Sequence, residues 1–467
     1  MKILLISPPL GKLSRYTGSP PLGLGYIASV LQKNNYHVKI ADMFDYSWKE
    51  VSRKIKKEDA DIVGISCFTP IRVQAFNIAK IAKQYNPNVK IIMGGSHATF
   101  LPHHIFQLSP TDVVVLGEGE ITALEVIKAL DKGKELSKVK GIVFKRKRKL
   151  IRTGLRPFIK NLDILPFPSY NNFELKRYVS MVDNKKYHKA KRGSIITSRG
   201  CPFSCQFCSL SPFWGRCWRS RSTNNVVDEI EYLNQELGIQ HLYMFDDSFT
   251  VNRKRVIEIC KEILKRKIDI AWFIETRVDL VDKEMLGWCK KAGCHEIQYG
   301  IESGSPLILK TINKGFTVPQ IRKAFKISHE VGLEASAFLM VGNPNESRKT
   351  IDETIKLVKE IKPTSFRISV TMLYPATPLY NLAKSKGIIS DDYWLTDKPV
   401  PFYTAELSLA QLYFLKHIIH SSILKERSTP EYLNYILKNG TRSLFNKPND
   451  LFSLGYSIVK DFLKDRL

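Results

Sequence analysis

Short runs rich in β-branched residues alternate with helical patterns twice along this chain, first over residues 1–131 and again from Ser194, and this alternation constrains the fold more than any other feature. Strand and helix in strict succession are the signature of βαβ units and parallel sheets. In the first run Lys2–Ser7, His37–Ala41, Ile62–Ser66, Val89–Met93 and Val113–Leu116 read as strands. Leu22–Gln32, opened by Pro20-Pro21, and segments 47–57, 71–85 and 121–130 read as helices. The pattern predicts an α/β fold beginning with a doubly wound, Rossmann-like domain of about five strands, whose ligands lie at the carboxyl ends of those strands.

In the second run Ser194–Thr197, His241–Phe245, Ala271–Glu275, Glu296–Gly300, Ala335–Val341 and Phe366–Thr371 read as strands with helices between them. Six such units predict a partial (β/α)6 barrel, with chemistry at the C-terminal strand ends. Beyond Trp394 the pattern turns helical, over Leu407–Lys425 and Leu451–Leu467. Four segments follow: a doubly wound domain over 1–131, a basic linker with a small β element over 132–192, a barrel over 193–390 and a helical extension over 391–467. The linker's β element is a hairpin over Gly141–Leu150. No internal repeat and no low-complexity segment interrupts this order.

The chain has 467 residues and eight cysteines, far short of a disulfide framework, yet Cys201, Cys205 and Cys208 crowd into one C-x3-C-x2-C stretch after the first barrel strand. Three thiolates on one loop can hold three irons of a [4Fe–4S] cluster and leave the fourth open to a small chelating ligand. A structural zinc site wants four ligands in two pairs, and no second Cys or His pair stands nearby. Cys260 and Cys289 fall on helical patterns and read as core thiols, while Cys217 and Cys294 complete the set that an auxiliary cluster would need.

The triplet, with the aromatic Phe207 inside it, resembles the cluster loop of the radical S-adenosylmethionine (SAM) enzymes. The resemblance implies that Cys201, Cys205 and Cys208 ligate the cluster and that SAM chelates the open iron through its amino and carboxylate groups. One electron then cleaves SAM to methionine and a 5′-deoxyadenosyl radical. It further implies SAM contacts at successive strand ends. Phe207 lies in the cluster loop, Asp246 and Asp247 meet the methionine ammonium, and Arg277 faces the carboxylate. Glu302 and Ser303 lie near the ribose, and Gly342 and Pro344 form a Gly-x-Pro-x-Glu turn beside the adenine.

The first domain carries Gly64-Ile65-Ser66-Cys67-Phe68-Thr69, Gly94-Gly95-Ser96-His97-Ala98-Thr99 and Gly117-Glu118-Gly119-Glu120 at its strand ends. Glycines there let the backbone approach a ligand closely. These stretches resemble the strand-end motifs of cobalamin-binding domains, which implies contacts at Ser66, Thr69, Gly94, Gly95, Ser96, His97, Thr99, Gly117, Glu118 and Gly119. The first loop, Pro8-Pro9-Leu10-Gly11-Lys12, lacks the Asp-x-His-x-x-Gly motif that supplies a lower axial histidine in many such domains. His97 is then expected to pack against the corrin or its tail.

Residues 1–390 thus resemble the cobalamin-dependent radical SAM enzymes. The leading expectation is a methyltransferase acting on an unactivated carbon, by radical hydrogen abstraction and methylcobalamin methyl transfer. The alternative is an oxidative cyclase or ring-rearranging enzyme of natural-product, tetrapyrrole or lipid biosynthesis. A transfer RNA methylthiotransferase-like enzyme would need three cysteines in its first domain, where only Cys67 stands. A non-catalytic cobalamin sensor would not need the intact triplet.

The formal net charge is +27, and residues 132–222 alone supply +19 of it, with 23 basic and 4 acidic side chains. Such an excess raises nucleic acid, anionic membrane or an acidic ligand as partner. Its concentration beside the cluster loop favours anionic cofactors, an acidic substrate or a docking reductant such as flavodoxin or ferredoxin over a nucleic-acid groove. Phe213–Arg221 joins aromatic surface to three arginines, which suits a flat or anionic partner or simply supports the loop. The amphipathic stretch Leu451–Leu467 reads as a core-packing helix, with a lid over an apolar substrate or a membrane-surface helix as the alternative. No apolar run reaches the ~18 to 20 residues of a membrane span, and the start is not a signal peptide, so a cytoplasmic enzyme acting on an apolar or anionic small molecule is expected.

Overall fold

The computed structural model describes residues 1–11, 19–147, 149–178 and 190–427, so the expected Leu451–Leu467 helix lies outside the described residues. Seven strands form the first sheet: β1 (Lys2–Ser7), β2 (His37–Asp42), β3 (Ile62–Ser66), β4 (Lys90–Gly94), β5 (Val113–Val115), β6 (Ile142–Arg146) and β7 (Lys149–Arg152). Their order is β2-β1-β3-β4-β5-β6-β7, parallel from β2 to β5 and antiparallel across the last three. Helices cover both faces, so the strands need apolar residues on both sides. Ile3 and Leu5 accordingly face the layer that holds helices Leu22–Lys33 and Glu120–Asp131, while Leu4 and Ile6 face helices Trp48–Glu58 and Arg72–Tyr85. Local signals agree: Ser47 and Glu50 form a capping box at the start of Trp48–Glu58, of the kind worth about 1 kcal/mol.

The segment expected to be a linker is instead part of two cores. Its hairpin, β6–β7, extends the first sheet beyond the five expected strands by pairing with β5. Its continuation packs onto the helix Leu22–Lys33, where a Cβ on Gly25 would stand 2.9 Å from Pro168 and 3.0 Å from the Phe173 ring. Leu165, Tyr170 and Phe173 belong to one apolar core that runs without a break from the first domain into the second. Alternating β/α periodicity identifies the layers well, but it cannot say that a hairpin following a parallel sheet will join it.

The second sheet consists of β8 (Arg192–Ile195), β11 (His241–Met244), β12 (Ala271–Thr276), β13 (Cys294–Glu302), β14 (Glu334–Val341) and β15 (Ser365–Val370); between the first two lie the short strands β9 (Ser198–Arg199) and β10 (Arg219–Ser220). The six long strands are all parallel in the order β15-β14-β13-β12-β11-β8, the partial barrel expected from the sequence. Leu242, Met244, Trp272, Ile274, Ile297, Ala335 and Ala337 point outward into the helix layer. The alternate positions, among them Tyr243, Phe273, Glu275, Gln298 and Phe338, turn the other way into the lumen, as a period of two requires. The helix Leu409–Arg427 packs on the edge strand β15, with Leu412, Leu415, Ile419 and Ile423 buried in the common core. It joins the outer helix layer, over the outward-facing Ile368 and Val370.

Candidate active site

Cys201, Cys205 and Cys208 sit on the loop between β9 and β10, partly exposed and unpaired as disulfides. Burial pushes the Cys201 thiol up to about 11, and it also raises Cys208. Cys201 and Cys208 thus hold their protons until a soft metal that accepts thiolate sulfur displaces them. This donor set fits an iron–sulfur cluster with one open iron.

The loop is pinned from several elements. Gly200 takes φ +88°, and a Cβ there would stand 2.0 Å from the carbonyl oxygen of Cys217, so only glycine fits. The Gly200 N–H donates to Asp247 at 2.8 Å, the Gln206 N–H donates to the carbonyl of Ile312 at 2.9 Å, and Asn313 Nδ2 donates to Ser204 Oγ at 2.9 Å. The Arg277 guanidinium lies 3.6 Å from the centre of the Phe203 ring, inside the loop.

The two aspartates after β11 have different surroundings. Asp246 is buried and accepts from the Thr197 N–H at 2.6 Å, Thr197 Oγ1 at 2.5 Å and Ser198 Oγ at 2.6 Å, so it holds the backbone leading to the cluster loop. Both of its oxygens are engaged inside the protein, which leaves Asp247 the more open of the two carboxylates. Burial raises Asp247 to about 6 while the Gly200 N–H pulls it down, leaving a carboxylate at the rim that an ammonium would ionise fully. Arg277 is aimed by Asp279 through two bonds of 2.9 Å, while its buried Nη1 has no hydrogen-bond partner among the described residues. A carboxylate placed there would satisfy it.

Glu302 ends β13 with φ +63°, a left-handed conformation that costs a non-glycine residue, at a break in the β13–β14 register. Its carboxylate accepts from Lys314 Nζ at 2.8 Å. Burial alone would lower Lys314, and Glu302 more than offsets it, so the ammonium stays charged. Lys314 Nζ also lies 5.6 Å from the Phe207 ring and is close enough to Cys205 to feel its charge. No spacing rule joins a lysine in a turn to a glutamate 12 residues earlier, and the sequence reading missed it. Ser303 is 1% exposed and bonds Thr354 Oγ1 at 3.1 Å, so it supports the turn from behind rather than facing the ribose as expected. Gly342, at φ +86°, and Asn343 both donate their N–H to Glu346, closing the turn that contains the buried Pro344.

In the first domain Ser66, Gly94, Gly95, Ser96 and Thr99 line the strand-end face and are partly exposed. The Thr99 hydroxyl donates to the Gly95 carbonyl at 2.8 Å and accepts from the Gly117 N–H at 3.0 Å, joining two of the glycine motifs. A Cβ on Gly117 would meet nothing within 4 Å and one on Gly94 only Val115 at 3.8 Å. This open glycine surface fits a large flat ligand. A Cβ on Gly119 would collide with Ile27 at 2.9 Å, so that glycine serves helix packing. His97 is fully buried, 3.3 Å from Thr69 Oγ1 and edge-on to Trp394 at 5.9 Å, with Nε2 unbonded among the described residues. Burial lowers it to about 3, so it is neutral. Arg72, missed in the sequence, donates to the carbonyls of Thr396 (2.7 Å) and Lys398 (2.6 Å) and ties the post-barrel segment to this face.

Glu118 departs most from its expected role. It is buried and accepts from Arg199 and Arg219 of the ribbon under the cluster loop, while its neighbour Glu120 accepts from Arg199. It is a contact between domains rather than a surface offered to cobalamin.

Two halves of a known architecture therefore meet in one chain. The family model of the radical SAM superfamily matches residues 195–358, and that of the B12 binding domain matches residues 12–127. The chain is 38% identical to an uncharacterised methyltransferase of Pyrococcus horikoshii, over 84% of this chain and 85% of that one. It is 32% identical to the anaerobic magnesium-protoporphyrin IX monomethyl ester cyclase of Rubrivivax gelatinosus, over 84% and 71%. The structure of the cobalamin-dependent SAM radical enzyme OxsB with aqua-cobalamin bound superposes with a TM-score of 0.74 at 19% identity, over 99% of this chain and 71% of that one. This protein belongs to the cobalamin-dependent radical SAM enzymes, and its cofactors are a [4Fe–4S] cluster, SAM and cobalamin.

Proposed function

We propose that this enzyme methylates an unactivated carbon of a small organic molecule. The observation that carries the reading is the joining, through one continuous core, of the open glycine face around Gly94 and Gly117 to the loop of Cys201, Cys205 and Cys208. The cofactors supply hydrogen abstraction from carbon and delivery of a methyl group. The chain's part is to place and shield them. Cys201, Cys205 and Cys208 hold three irons, Asp247 takes the SAM ammonium, Arg277 Nη1 its carboxylate, Glu302 its ribose hydroxyls, and the Gly342–Pro344 turn its adenine. Ser66, Gly94, Gly95, Ser96, Thr99 and Gly117 form the cobalamin face, with Thr69 and His97 beneath it.

The substrate enters the barrel lumen. There Tyr243 and Phe273 stack at 4.5 Å, and Phe245, just past the C-terminal end of β11, stands half exposed 5.1 Å from Tyr243. Aromatic faces there suit a flat or apolar group. The enzyme works in the cytoplasm and draws electrons from a small reductant such as flavodoxin or ferredoxin. Membrane contact, if the substrate is a lipid, is peripheral, since among the described residues no helix is long and apolar enough to cross a membrane. Residues 1–152 form the cobalamin unit with its hairpin, 190–370 the barrel and 371–427 the cap.

The cyclase relative favours a second reading, oxidative ring closure with the same cofactors. The product set separates the two. The anaerobically reconstituted enzyme, supplied with SAM, cobalamin, reductant and a protein-free filtrate of cell extract, is expected to make S-adenosylhomocysteine and 5′-deoxyadenosine in equal amounts. Deoxyadenosine without S-adenosylhomocysteine would instead establish the cyclase or oxidase reading.

A further inference from the structure

The cluster loop leaves and re-enters the barrel through the ribbon β9–β10, in which Arg199 and Arg219 are paired directly across the strands. Like charges opposite one another destabilise a strand pair, and these two are both buried at 8% exposure or less. Glu118 Oε1 of the first domain accepts from Arg199 Nη1 at 2.8 Å and from Arg219 Nη1 at 2.9 Å, so one carboxylate oxygen bridges the two. Glu118 Oε2 takes Arg219 at 3.1 Å and the Ile159 N–H at 2.8 Å, and Glu120 Oε1 takes Arg199 Nη2 at 2.5 Å. Two cations and two anions, all buried, therefore close the base of a loop whose first cysteine lies two residues beyond Arg199.

We propose that Glu118 and Glu120 of the cobalamin-binding domain are positioning residues for the iron–sulfur centre: they clasp the Arg199–Arg219 ribbon and keep the cluster loop closed. Without their charge the paired arginines face each other, both buried, with the Ile159 carbonyl and the Phe158 and Tyr26 rings left to offset the repulsion, and the ribbon is weakened at the base of the loop. The first domain thereby governs retention of a cluster to which it contributes no ligand. This rests on the reading that Cys201, Cys205 and Cys208 hold the cluster.

The test uses the full-length reconstituted holoprotein and follows iron loss to a strong ferrous chelator, together with the electron paramagnetic resonance of the reduced cluster with and without SAM. Glu118→Gln keeps the shape and removes the bridging charge, and is expected to lose iron about tenfold faster or more, with a broadened SAM-dependent signal. The double variant Glu118→Gln, Arg219→Gln removes the repulsion as well and is expected to recover most of the retention, which a merely structural role would not produce. Glu120→Gln, milder because Arg199 keeps Glu118, is expected to fall between, and Glu125→Gln on the same helix to match the unaltered protein. Normal retention in Glu118→Gln, or a double variant worse than the single one, would overturn the inference. Failure of the unaltered protein to take up iron would overturn instead the cluster reading beneath it.

Discussion

Cys201, Cys205 and Cys208 differ from the chain's other cysteines in what surrounds them. Cys67, Cys260, Cys289 and Cys294 are buried among apolar side chains, and Cys260 Sγ lies 3.9 Å from Cys289 Sγ with no bond between them. Replacing any one of the triplet by alanine is expected to abolish the cluster's visible absorbance and deoxyadenosine formation, measured in the same anaerobic preparation. Cys217→Ala, on an exposed thiol, is expected to leave both unchanged. His97 gives a pH signature. Its folded value is about 3 against 6.5 when free, so it contributes stability that is complete above 6.5 and lost as the pH falls toward 3. Urea midpoints measured from pH 7 down to 4 are expected to fall steadily, and the fall to be shallower in His97→Gln. The spacing of the cysteines made their role legible in the sequence. The Lys314–Glu302 pair and the bonded state of Asp246 were not, because each depends on chain segments brought together only by the fold.

At the scale of elements, the loop between β9 and β10 works because its turn can be made only by glycine. Gly200→Ala would force a Cβ to within 2.0 Å of the Cys217 carbonyl oxygen, in a left-handed conformation that alanine also resists. The variant is expected to fold, by circular dichroism, yet hold well under half the iron of the unaltered protein. Parallel strands and their order of appearance were readable from hydrophobic period, and boundaries moved by only one or two residues for most elements, as with β4 at Lys90–Gly94 against an expected Val89–Met93. The hairpin β6–β7 is legible in the sequence as a hairpin, but its pairing with β5 is a long-range choice that no local propensity encodes.

For the whole molecule, the basic excess acquires a different meaning. The connecting region's arginines are in good part spent inside the protein: Arg156 on Glu125, Arg177 on Asp45, Arg199 and Arg219 on Glu118 and Glu120, and Arg221 on Glu229. A stretch that looks in sequence like a surface for an anionic partner thus serves partly as the ionic seam between two domains. That seam and the shared apolar core fix the glycine face and the cysteine loop relative to each other. The most direct test supplies the reconstituted enzyme with SAM carrying a trideuterated methyl group and examines the small-molecule products by mass spectrometry. A product carrying the whole trideuteromethyl group on carbon is expected, formed only when cobalamin is present and absent from Cys205→Ala. A labelled product that forms equally well without cobalamin, or consumption of SAM with no label in any product, would contradict this expectation.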